Sequence, residues 1–218
     1  MAVAKERSWR WQRVRLPAAL SLATLLALGL LLALAPQGVT VETLQPGDGL
    51  LSLERWGSAV ERAPVVAVLF FLGDTLFALA LGWTFLRLHL ALPPSPLAAI
   101  GLGAALVKAG ADVAENLLYL WPAAQALAGE ALAWPPLGAL AALAMLKRAA
   151  GAVTGVAFAL ALPGEDRGAQ AGRLLLAALG VAAVLGYFVP WLALAHVALV
   201  FLFLAFLLCY ARRAADDR

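Results

Sequence analysis

Residues 97–120 read LAAIGLGAALVKAGADVAENLLYL. At about 1.5 Å per residue, a helix of this length crosses a ~30 Å hydrocarbon core. Pro93-Pro94-Ser95-Pro96 precedes it and Pro122 follows it, and such residues punctuate helices. At about 100° per residue, Lys108, Asp112, Glu115 and Tyr119 fall within roughly 60° of one another, with Asn116 at the edge of the stripe. The rest is apolar or small, including Gly101, Gly103, Ala104, Ala105, Ala109 and Gly110, as close helix packing in lipid requires. An apolar helix with one ionisable stripe belongs inside a bundle of membrane helices.

The whole chain agrees. It is 64% hydrophobic and 13% charged, with mean hydropathy +0.90, against about half apolar and a quarter charged in soluble domains. The expected fold is all-α, a polytopic transmembrane bundle of about six spans. The spans are Leu16–Ala35, Ala63–Leu86, Leu97–Leu120, Pro136–Leu162, Arg173–Gly186 and Trp191–Tyr210. As one helix, 173–210 would reach about 57 Å, so Gly186-Tyr187-Phe188-Val189-Pro190 is read as a turn. Two spans, a re-entrant segment and one kinked helix stay open for that stretch. No repeat or linker divides residues 1–218, which read as a single integral membrane domain. The first span is read as retained, since it is longer than the 7–15 residues of a signal core.

Charge sets the expected orientation. Lys5, Arg7, Arg10, Arg13 and Arg15 precede the first span, which places the N-terminus in the cytoplasm. Glu42, Asp48, Glu54 and Glu61 then lie outside, and an even number of spans returns Arg212-Arg213 to the inside. The bacterial inner membrane, with both termini cytoplasmic, is the expected location. A basic segment directly before a span orients the chain rather than binding nucleic acid. Trp9 and Trp11 on one side, and Trp56, Trp121, Trp134 and Trp191 on the other, read as interfacial anchors. Between spans one and two, Leu50, Leu53, Trp56 and Val60 recur at helical spacing. They imply an amphipathic helix that lies on the outer surface or caps the bundle.

Ionisable residues inside spans are the informative ones. A charge at mid-bilayer costs at least about 2.5–3.5 kcal/mol and faces a bundle interior or cavity. Asp74 lies in the second span, Lys108, Asp112, Glu115 and Asn116 in the third, and Lys147 and Arg148 in the fourth. Asp74, Asp112 and Lys147 fall at similar depth, roughly 14–17 Å from the outer end. The expected site is a buried cluster in which Lys108 and Lys147 meet the carboxylates. Tyr119, Thr154, Arg148 and His196 are further candidates. His89 and His196 lie roughly 20 Å apart in depth, too far to share a metal ion or haem. The sole cysteine, Cys209, excludes an intramolecular disulfide. No zinc, nucleophile-elbow or phosphate-loop motif is present, and no cofactor is expected.

Asp74 in an aromatic-rich second span, Asp112-Val113-Ala114-Glu115-Asn116 and Lys147, with Trp56 ahead of them, make residues 41–162 similar to a family of uncharacterised bacterial multi-pass membrane proteins with an intramembrane D-x-x-E-N motif. The resemblance implies the same charged residues and no particular activity. Three roles remain. The cluster binds or passes a small polar solute, ion or lipid headgroup; or Asp112 or Glu115 serves a membrane-embedded acid–base enzyme acting on a lipid-like substrate; or the charges lock helices in register in a structural or assembly subunit. The lipid bilayer is the expected partner, and the reading leaves room for a homo-oligomer.

Overall fold

The computed structural model describes residues 2–44, 50–164, 166–188 and 191–216. All regular structure among them is helical: α1 (Ala2–Ala33), α2 (Val41–Leu44), α3 (Leu50–Arg62), α4 (Pro64–Ala91), α5 (Pro96–Leu127), α6 (Leu137–Ala161), α7 (Arg167–Phe188) and α8 (Trp191–Asp216). Six of these, all but α2 and α3, are long and apolar enough to cross a membrane. The chain is a multi-pass helical membrane protein.

Local chemistry starts and stops the spans. Ser95 sits in extended backbone before α5 and its Oγ accepts the Ala98 N–H at 3.1 Å. Pro96 fills the first helical position, where no amide donor is needed. Contrary to the expected end at Leu120, α5 runs on through Pro122 to Leu127, because a span can absorb a proline where neighbouring groups satisfy the freed carbonyl. Gly129, at φ 78° in the left-handed region, turns the chain away.

The fifth span also differs from expectation. It begins at Arg167 rather than Arg173 and continues as helix through Gly186, Tyr187 and Phe188. Asp166 caps it, its Oδ1 accepting the Ala169 N–H at 2.9 Å. Arg173 lies inside the helix, and its Nε donates to the Leu162 carbonyl at 2.9 Å, at the end of α6. The arginine therefore satisfies a helix C-terminus instead of marking a boundary. With α7 spanning about 33 Å, residues 173–210 form parts of two crossing helices. The proposed break at Val189-Pro190 lies outside the described residues.

The six spans form a closed ring. Each packs on its sequence neighbours, α1 on α4, α4 on α5, α5 on α6, α6 on α7 and α7 on α8, and α8 returns to α1. Trp11 of α1 meets Tyr210 of α8 edge to face, with centroids 5.0 Å apart, so both termini lie on one face, the terminal face. The Ser21 and Thr84 hydroxyls meet at 3.2 Å between α1 and α4, both fully buried.

The amphipathic helix α3 caps the opposite face. Trp56 and Val60 have no exposed surface. The Trp56 ring lies 5.5 Å from Tyr119 and 6.3 Å from Trp134, while Phe71 stacks on Tyr119 at 5.3 Å. Trp56 is thus a core residue of the cap, not an interfacial anchor, since it fills the space between α3, α4 and α5. Trp11 is likewise buried, whereas Trp121 and Trp134 are exposed, as anchors should be. The side chains of Trp9, Trp191, Leu50 and Leu53 lie outside the described set.

Candidate functional site

The stripe on α5 faces α4 and α6. Lys108 Nζ donates to Asp112 Oδ2 at 2.5 Å, one turn along the same helix. Lys147 crosses from α6, forms an ion pair with Glu115 and lies 3.5 Å from Asp112 Oδ1. From α4, Asp74 accepts the Asn116 Nδ2–H at 2.9 Å. Asp112, Glu115 and Asn116 are all buried. The structure therefore brings Asp74, Lys108, Asp112, Glu115, Asn116 and Lys147 together, with α5 at the centre, joined to α6 through Lys147 and to α4 through Asn116.

Physical chemistry explains this arrangement. In a low-dielectric interior an isolated ammonium or carboxylate is costly, and pairing with hydrogen bonds makes it tolerable. Asp112 serves two lysines with its two oxygens, and a carboxylate has the lone pairs to do so. The (i, i+4) spacing of Lys108 and Asp112 lets them meet without help from another helix.

The remaining candidates take different places. Tyr119 belongs to the aromatic cap above the cluster, fully buried against Phe71 and Trp56. Arg148 is half-buried on the adjoining face of α6. Thr154 is buried and its hydroxyl donates to the Ala150 carbonyl at 2.8 Å. His196 on α8 reaches the ring interior on the side of Lys108. His89 sits near the other end of α4 from the cap, so the two histidines are separate.

Toward the terminal face the cluster opens into a cavity of about 40 Å³. Lys108, Thr154 and His196 give it a polar end, and side chains of α4, α7 and α8 give it an apolar wall. Phe85 and Phe203 form its aromatic floor, with Phe158 packed behind Phe85. Phe85 stacks on Phe158 at 5.3 Å and on Phe203 at 5.8 Å, linking α4 to α6 and α8 across the ring. Phe158 rests on Gly101, where a Cβ would come within 2.9 Å of the ring. On the α6–α7 side, backbones touch: a Cβ on Gly155 would lie 2.5 Å from the Leu176 carbonyl oxygen and 2.6 Å from the Gly180 nitrogen.

Sequence reading missed the three phenylalanines and the Gly155–Gly180 contact. A Gly151-x-x-x-Gly155 spacing on α6 favours close packing, but nothing in the sequence identifies Gly180 as its partner. The phenylalanines look like any lipid-facing aromatic until the helices are placed.

No family model matches this chain, and no curated protein and no solved structure matches it either.

Proposed function

We propose that the ring interior binds a small polar solute or ion and, when the bundle rearranges, passes it across the membrane. The observation that carries this reading is the double position of Lys108, which belongs to the ion-pair network through Asp112 and to the cavity wall beside Thr154 and His196. A ligand in the cavity would compete directly with a member of the network. A cavity of about 40 Å³ has room for a small solute such as an ion or a water molecule. The bacterial inner membrane, both termini in the cytoplasm and kinship with the D-x-x-E-N family form part of the same proposal, from the charge and motif patterns.

The test is native mass spectrometry of the chain in lipid nanodiscs, paired with ion flux into proteoliposomes. A bound small molecule or a flux lost on Lys108→Met supports the proposal. Neither signal across a panel of inorganic ions removes it.

One observation favours a second reading, in which the charges only fix helix register. Asp74, Asp112 and Glu115 each already accept a hydrogen bond from a neighbouring side chain. A chain carrying Lys147→Met with Glu115→Leu would then fold and perform as the natural one does.

A further inference from the structure

Three polar side chains reach the cavity from three helices: Lys108 of α5, Thr154 of α6 and His196 of α8. Their hydrogen-bonding capacities are complementary rather than alike. The Lys108 ammonium has three N–H donors and no acceptor, and its bond to Asp112 Oδ2 uses one of them. Thr154 commits its one hydroxyl proton to the Ala150 carbonyl, so its Oγ can only accept from the cavity. His196 Nδ1 is buried and has no hydrogen-bond partner among the described residues. A buried polar atom of this kind calls for a partner, and an ordered water commonly supplies it. There is room for one. The cavity measures about 40 Å³, and a single water requires about 10–15 Å³.

We propose that the polar end of this cavity is a water site, at which one molecule joins Lys108, Thr154 and His196. The proposal rests on the binding reading of the same interior and names the occupant. The water oxygen accepts an N–H from Lys108, and its two O–H groups donate to Thr154 Oγ and His196 Nδ1. Three hydrogen bonds are the usual complement of a buried water. The count also fixes the tautomer. With a proton on Nδ1 the ring would donate too, and one water O–H would lose its side-chain acceptor.

The same inventory selects against ions. A small cation would meet the Lys108 ammonium. An anion only accepts, so it would face the lone pairs of Oγ and Nδ1 without a donor to answer them. The remaining wall is apolar apart from the polar end, which confines the hydration to that end. Through this water α8 is tied to Lys108 and so to Asp112, which adds a fourth helix to the three that the charged network joins.

Solid-state NMR of the full chain in lipid nanodiscs, with isotope-labelled histidine, tests this. Either His89→Gln or His196→Gln assigns the two histidines. The expected result is magnetisation transfer from water protons to His196 Nδ1, with the chemical shift of a ring nitrogen that carries no proton. Thr154→Val, which keeps the shape and removes one acceptor, should lose most of that transfer. No transfer in the natural chain, or a protonated Nδ1, overturns the proposal. So does a saturable shift of the His196 resonances when sodium chloride replaces choline gluconate, which would give the site to an ion. If native mass spectrometry finds a bound solute while water transfer is absent, the water assignment fails and the interior binding reading stands.

Discussion

On α6, Lys147 reaches across to Glu115 and Asp112, while about three turns further along Phe158 reaches across to Phe85 and Gly101. The same three helices are joined at both levels, by opposite means. Ion pairs are directional and specific in sign, so removing one partner leaves the other stranded. Stacked rings are neither, and a lost ring leaves a gap that neighbours partly fill. In lipid the hydrophobic effect does not drive helix association, so the aromatic floor rests on packing alone. The charged level therefore decides which helices meet at which depth, and the aromatic level decides how tightly the interior closes.

Breaking the charged level should have the largest effect. Lys147→Ala strands Glu115 and is expected to cost about 3–5 kcal/mol, read from unfolding in mixed micelles. Adding Glu115→Ala should restore at least about 1 kcal/mol of that loss, and a double variant as unstable as the single one would remove the pairing from the account. The α6–α7 contact comes next. Gly155→Ala drives a methyl into the α7 backbone and should cost about 3 kcal/mol, with thermal unfolding as the measure. A variant as stable as the natural chain would mean that the two helices do not touch there.

Smaller effects sharpen the contrast. Phe158→Ala should cost about 2 kcal/mol, below the ~3–5 kcal/mol usual for aromatic truncation because little water-transfer term applies in lipid. Phe85→Ala added to it should give no rescue, unlike the paired charges, and this difference in double-variant behaviour separates the two levels directly. Last, Asn116→Leu, which removes the hydrogen bond to Asp74, should cost about 1 kcal/mol.

The sequence made some of this legible. Hydropathy located the spans, because each must bury about 20 apolar residues in lipid. The α5 stripe was legible because side chains about one turn apart share a face. What escaped is informative in detail. Depth counted from span ends carries an error of about one turn, or ~5.4 Å, and that error separates a reading in which Lys147 meets the carboxylates in general from one in which Glu115 is its ion-pair partner and Asp112 lies at 3.5 Å. The start of α7 escaped because Arg173 resembled a boundary, although Asp166 after Pro163-Gly164 has the character of an N-cap. Trp56 looked like an anchor because nothing in the sequence tells a tryptophan facing lipid from one facing a helix end. The cavity depends on which faces of α7 and α8 turn inward, and their nearly uniform apolarity gives no periodic signal to read.

At the Gly155–Gly180 crossing no side chain separates α6 from α7, and the two peptide backbones nearly touch. A sliding joint needs flexible groups between its surfaces, and here there are none. These two helices therefore travel as one rigid pair, and any motion that admits a solute to the interior must part the ring at another seam, with α8 or the α4–α5 pair swinging away from that fixed wall.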